Sequence, residues 1–398
     1  MKFRAFAAGI ICLLSGLLCL SEASISAAFA EPGVDKGNIL LGQAAVLEGH
    51  AMALGRDMRN GLLAAFAEAN RSGGVKGRRI ELISRNDGYE PGKSIEVTKK
   101  LIEDDKVFAL VGAVGTPTSK VSLPVATENG VPFIGAFTGA DFLRDPFNPK
   151  VVNVRASYLQ ETEVLVDRLV KDRGISRIAI LYQDDAFGRS GLTGVAKALD
   201  KRAMKLVSEG TFERNTTAVK TALLAIRRGN PEAVIMISPY KPCAEFVKLA
   251  RQLNWYPLFM TISFAGSNAL ADELGPDGAG IVASQVVPCP LDPSLPIIAR
   301  YQAALKFLDP TLRPGCISLE GYLVGRLVVA ALEASGEAPT RQAFLDSIYG
   351  HSFDFGGFRL TYDPNSNQGS SEVVLTIIQP DGSLKRIETL DQLGSPTR

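Results

Sequence analysis

Metal-binding side chains are scarce in this sequence. It has 2 histidines and 5 cysteines in 398 residues, and 1 tryptophan. A zinc cage, a histidine-rich active site or an iron–sulfur cluster is hard to build from so few ligands. An excess of charge of one sign is missing too, since 43 Lys plus Arg stand against 42 Asp plus Glu. That balance excludes a large nucleic-acid footprint and a polybasic membrane surface. There is no Gly-x-Ser-x-Gly elbow and no Gly-x-x-x-x-Gly-Lys-Ser/Thr phosphate loop. His50 and His351 stand apart, without the neighbours a metal needs. His50 follows the first expected strand and reads as a surface or pocket-rim residue. The expectation is a protein with no metal, no cofactor and no catalytic residue.

Long apolar runs are confined to the start of the chain. Lys2 and Arg4 precede sixteen uncharged residues, Ala5–Leu20. A membrane span needs about 20 apolar residues, so this run suits a signal-peptide core better. Ala28-Phe29-Ala30 supplies the small-x-small cleavage pattern. The reading is export of a soluble protein with cleavage after Ala30. Removing Lys2, Arg4 and Glu22 leaves acidic and basic residues equal in number. Cys12 and Cys19 leave with the signal, so Cys243, Cys289 and Cys316 remain. Cys289 and Cys316 are the expected pair if a disulfide forms; three buried, inert thiols are the alternative.

The rest is ordinary for a folded chain, at 46% hydrophobic and 21% charged. Apolar runs of strand length recur at 39–46, 79–84, 108–112 and 131–135, then at 178–182, 206–210, 233–238, 258–262 and 281–287. Helical periods separate them: Met58, Leu62, Phe66 and Ala69 share one face, as do Leu319, Tyr322, Leu323 and Leu327. Such alternation predicts βαβ units and parallel sheets covered on both faces. Two series are visible, from about 37 to 153 and from about 157 to 285. Helices near 296–307, 317–334 and 340–348 follow, then strands at 358–362 and 373–379. The fold class is therefore α/β, with two Rossmann-like lobes and parallel-rich sheets. Ligands of such sheets bind at the carboxyl ends of the strands.

Three strand-to-helix loops carry candidate chemistry. In Gly112–Ser119, Thr116 is placed as an N-cap and Pro117 as the first helical residue. The amides of Thr118 and Ser119 would then face an anion, especially a carboxylate. Gly135–Asp141 offers Thr138 beside Gly139 and Ala140, which lets a ligand approach the main chain. Gln183–Gly188 offers Phe187 for stacking and aspartates for capping. Read without a ligand, each loop is also an ordinary capped helix or glycine turn.

Together with Asn70-x-x-Gly73-Gly74-x-x-Gly77 and Asn86-Asp87, these features resemble type 1 periplasmic binding proteins. The resemblance is to the leucine/isoleucine/valine-binding proteins of ABC importers and covers about 37 to 385. It implies two lobes joined by three hinge crossings. The first lobe takes 37–155 and about 287–372, and the second takes 156–286 and about 373–398. It implies a monomer that captures a small carboxylate-bearing solute, a branched-chain or other amino acid, an amide or an apolar carboxylate. The solute passes to an ABC permease in the inner membrane. A ligand-sensing receptor module and an exported hydrolase are the alternatives. The ligand contacts implied are Thr116, Thr138, Gly139 and Ala140 from the first lobe and Phe187 and Tyr240 from the second. The family's ammonium-binding acid falls at Ser263, and its early aromatic contact falls at Leu54. Either Glu320 replaces the missing acid from the opposite wall, or the ligand is not an α-amino acid.

Overall fold

The computed structural model describes residues 31–292 and 294–393. The expected signal segment and cleavage point lie outside them, as do residues 394–398 of the expected second lobe. The first sheet is built from β1 (Asn38–Ala45), β2 (Arg79–Asn86), β3 (Ala109–Val111), β4 (Phe133–Ile134) and β5 (Val151–Val152). Its order is β2-β1-β3-β4-β5, and every pairing is parallel. The helices α1 (Met52–Arg71), α2 (Pro91–Glu103) and α3 (Thr116–Glu128) connect its strands. Gly73, Gly74 and Gly130 fall where α1 and α3 stop and adopt positive φ, as expected of chain reversals.

The second sheet contains β6 (Ile178–Gln183), β7 (Ser208–Phe212), β8 (Ala233–Ile237), β9 (Leu258–Thr261) and β10 (Val282–Gln285). Around it run α4 (Tyr158–Arg173), α5 (Ala186–Asp200), α6 (Lys220–Arg228), α7 (Tyr240–Gln252) and α8 (Ser267–Leu274). Ser157 and Gln160 form a reciprocal capping box that starts α4, and Gly174 ends it in the left-handed region. Strand β6 is buried along its whole length, as a central parallel strand must be. The chain then returns to the first lobe through α9 (Pro296–Leu308), α10 (Cys316–Ala334) and α11 (Arg341–Asp346). After the hairpin of β11 (Ser352–Asp354) and β12 (Arg359–Thr361), β13 (Val374–Ile378) and β14 (Leu384–Ile387) rejoin the second sheet antiparallel.

Three crossings follow from this path: after β5, after β10 and before β13. The first and third are tied together. Asn153 donates its amide N–H to the Asn367 carbonyl at 2.7 Å, and Gly369 donates to the Asn153 carbonyl at 2.8 Å. Arg144 donates to Gln368 at 2.7 Å and to the Arg155 carbonyl at 3.0 Å.

The α/β architecture matches the sequence expectation, with three local differences. The run at 206–210 is displaced to Ser208–Phe212, because pairing sets Ser208 against Ala179 and leaves Val207 exposed. Strands β11 and β14 are short and polar, so apolar runs do not reveal them. The Cys289–Cys316 pairing is not formed: all three cysteines are free. Cys289, in the loop after β10, lies within electrostatic reach of the buried Cys316 at the start of α10, but no bond joins them. Cys243 is buried and donates to the Ser238 carbonyl at 3.4 Å.

Candidate ligand-binding site

The carboxyl ends of both sheets face one cleft, and the predicted residues divide between its centre and its edge. Gly115, at φ 106°, is the N-cap of α3, so Thr116 is its first helical residue. The capping role expected for Thr116 is thus displaced by one position. The cause is steric: Tyr89 packs so close that a Cβ on Gly115 would lie 2.3 Å from its ring. The Ser119 amide also differs from expectation, since it donates to the Gly115 carbonyl at 3.0 Å. Freed from capping, the Thr116 hydroxyl reaches Thr138 at 2.6 Å, and both residues are fully buried. The Thr138 hydroxyl also accepts from the Ala140 amide at 3.3 Å. Gly139 is required for close approach, because an added Cβ would meet the Tyr158 ring at 2.6 Å.

Aromatic rings line the same space. Phe187 follows Asp185, whose carboxylate accepts from the Phe187 amide at 2.9 Å and so caps α5. The Phe187 ring packs on Tyr158 at 5.6 Å and on Phe264 at 4.5 Å between centroids. Phe264 also stacks on Phe137 of the first lobe at 5.2 Å. Tyr89 enters from the first lobe, 6.1 Å from Phe264. At the other edge, Tyr240 opens α7 beside the backbone of Ala53, near Leu54. His50 sits in an exposed turn before α1.

The middle of the cleft is ionic. Arg155, on the first crossing, is fully buried and lies over the rings of Phe137 and Tyr158, at 5.1 and 5.7 Å. Its Nη2 donates to Glu161 at 2.8 Å and to the Ser263 hydroxyl. Its Nη1 lies 3.4 Å from both carboxylate oxygens of Glu320. Glu161, in the first turn of α4, further accepts from the Ser263 amide at 2.9 Å, the Ser263 hydroxyl at 3.0 Å and Ser284 at 2.6 Å. Burial opposes the Arg155 charge, but Glu320 and Glu161 outweigh it and raise its pKa. Burial pushes Glu320 up to about 7, with Arg155 pulling the other way. Two predicted residues, Ser263 and Glu320, are therefore held by an arginine that no loop motif indicated. A charge inside the apolar segment Val151–Ala156 was the only sequence signal for it.

Several buried polar atoms here have no partner: the Tyr158 hydroxyl, the Arg155 Nε, the Ser119 hydroxyl and the Gln183 Oε1. The Tyr158 hydroxyl lies against Thr116 and Thr138 without a hydrogen bond of sound geometry, and burial raises its pKa. The Arg155 Nε is a donor, and the Tyr158 hydroxyl can donate. Unpaired buried donors are costly unless something accepts from them.

A sequence model of the family described as periplasmic binding protein matches residues 39–383. The chain belongs to the periplasmic binding protein family. This periplasmic binding protein is similar to a possible leucine/isoleucine/valine-binding protein from Rhodopirellula baltica. The two are 37% identical with a TM-score of 0.87, over 91% of this chain and 99% of that one. A Leu/Ile/Val-binding protein from Rhizobium johnstonii is 25% identical over 336 residues, 82% of this chain and 87% of its own. The fold is shared, at 19% identity and a TM-score of 0.79, with an ABC-transporter solute-binding protein from R. palustris in complex with benzoate. That match covers 88% of this chain and 96% of its partner. The periplasmic binding protein fold, of type 1, thus accounts for the two lobes and the central cleft. No helix of the described residues is long and apolar enough to cross a membrane.

Proposed function

We propose that this protein is the exported solute-binding component of an ABC importer and that its solute is a small carboxylate. The observation that carries the reading is the convergence of buried donors between the lobes. The Thr116 and Thr138 hydroxyls meet at 2.6 Å with the unpartnered Tyr158 hydroxyl against them, and Arg155, its Nε unpartnered, lies over the rings of Tyr158 and Phe137. A carboxylate is an acceptor-only group, and charge-assisted hydrogen bonds reward it most. The aromatic walls suit an apolar remainder, as in a branched-chain, aryl or alkyl acid. The names of similar proteins point the same way, to leucine, isoleucine, valine and benzoate.

The mechanism is capture without chemistry. The first lobe holds the carboxylate on Thr116 and Thr138. The second lobe closes over it with Phe187 and Phe264, and Tyr240 seals the far edge. The solute then shifts the hinge equilibrium, and an inner-membrane permease reads the closed form. A thermal-shift screen of ligand-stripped protein tests this against amino acids, their amides and apolar carboxylates. Ligand at 100 times its dissociation constant stabilises by about 2.7 kcal/mol. The reading predicts shifts with carboxylates and none with the matching amides. Shifts with amides alone overturn it.

A further inference from the structure

Arg155 stands where an amino-acid ligand would need a free acid. The two acids that touch Arg155 are both already engaged. Glu161 accepts four hydrogen bonds, from Arg155, from the amide and the hydroxyl of Ser263 and from Ser284. Glu320 has both carboxylate oxygens turned to the same guanidinium. The other groups facing this pair from neighbouring elements are Arg144, a second cation, and Tyr158. A ligand ammonium brought to Arg155 would meet two arginines, and the two carboxylates there are already paired with Arg155. Of the unpartnered atoms on this side, the Arg155 Nε is a donor only, which an ammonium cannot satisfy, while the Tyr158 hydroxyl can donate to a carboxylate.

Resting on the carboxylate reading above, we propose that Arg155 is an internal substitute for the ligand's ammonium group. Arg155 neutralises Glu161 and Glu320 from within, so the site selects carboxylic acids that lack an α-amino group. The ligand class is then aryl and branched alkyl carboxylates, including 2-oxo acids whose extra carbonyl adds a second acceptor. Glu320 serves as the counter-ion of Arg155 and makes no contact with the ligand. Charge bookkeeping inside the cleft supports this division. An arginine left without its acids is costly when buried, and so is an ammonium added to a pair already neutralised.

Titration calorimetry on ligand-stripped protein decides the matter with two matched pairs: leucine against 4-methyl-2-oxopentanoate, and phenylalanine against 3-phenylpropanoate. The expected result is that the deaminated member binds at least tenfold more tightly in each pair. In the Glu320→Gln variant the deaminated acids keep their affinity within about threefold or gain. An amino acid that binds as tightly as its deaminated analogue, in either pair, overturns the proposal. So does a tenfold loss of leucine affinity in Glu320→Gln, which would make Glu320 the ammonium partner. The wild-type comparison stands even if that variant misfolds. Binding by 3-phenylpropanamide with none by any of the four acids is a different failure. It removes the carboxylate reading itself, and this inference with it, as does the absence of binding by every compound.

Discussion

Thr116 and Glu320 are two buried polar residues with opposite duties. The Thr116 hydroxyl is free to reach a ligand because Gly115 performs the capping. Replacing it with alanine removes one charge-assisted hydrogen bond, at a cost of about 1.5–3 kcal/mol of binding. Thr116→Ala should therefore weaken whichever carboxylate binds by roughly 10- to 150-fold, and loss of the buried Thr116–Thr138 bond should also lower the melting temperature of the free protein. Unchanged affinity by titration calorimetry removes Thr116 from the site. Glu320 sets a pH dependence together with two other acids. Burial pushes Asp57 and Asp87 up to about 6 and Glu320 up to about 7. Asp57 faces Arg313 and Asp272, Asp87 faces Glu90 and Ser94, and Glu320 faces Arg155, Arg144 and Glu161. Folded values above the unfolded ones mean stability is full below about pH 4 and is lost as pH rises through 6 to 7. The acids held below their usual range, such as Glu68 and Glu163, act only on the acid side of that window. The protein should melt higher at pH 5 than at pH 8, and Glu320→Gln should flatten that slope. Melting curves across the range check it, and a rise in melting temperature from pH 5 to 8 contradicts it.

Helices α1 and α10 show how an element is placed by what it omits. A Cβ on Gly61 would lie 2.0 Å from the Ser318 carbonyl oxygen, and one on Gly321 would lie 2.3 Å from that of Met58. The two helices meet backbone to backbone, and that contact holds Ser318 and Glu320 at the cleft. Gly321→Ala forces them apart, and overpacking of this kind typically costs ~1–3 kcal/mol. Gly92, near the start of α2, has nothing within 4 Å of an added Cβ. Gly92→Ala should instead stabilise by about 0.4–1 kcal/mol, since alanine restricts the unfolded chain. Chemical denaturation of the two variants should give shifts of opposite sign.

Polar contacts also join the two lobes. Glu90 of the first lobe accepts from Arg214 at 2.9 Å and from Asn215 at 2.6 Å in the second. The Gln183 amide donates to the Tyr89 hydroxyl at 3.3 Å across the same gap. The Glu90–Arg214 pair is partly exposed, so its contribution is screened and modest, about 0–1 kcal/mol. Glu90→Ala should move the hinge equilibrium toward the open form without unfolding either lobe. The expected signs are a larger radius of gyration by small-angle scattering and a ligand dissociation rate raised several-fold. An unchanged radius and rate would place the control of closure elsewhere, at the Arg155 cluster.

Much of this molecule is legible without coordinates. Apolar runs such as Ile178–Tyr182 become buried parallel strands because a strand covered on both faces has no polar side to show. Gly73, Gly74 and Gly130 mark helix ends because only glycine takes the positive φ those reversals need cheaply. The loops carrying Thr116, Thr138 and Phe187 are visible because they follow strands and precede helices. The central ion cluster is different in kind. Arg155, Glu161, Ser263 and Glu320 come from a crossing, a helix start, a short turn and a distant helix. Their meeting depends on the hinge path and the α1–α10 contact, and no local pattern encodes it. Tyr158 and Phe264 lie in no motif of the sequence and become cleft walls only when the two lobes face each other. Local propensity and burial determine the elements, whereas the pairing of buried charges is decided by the tertiary structure, which alone brings distant side chains into a medium where each must find a partner.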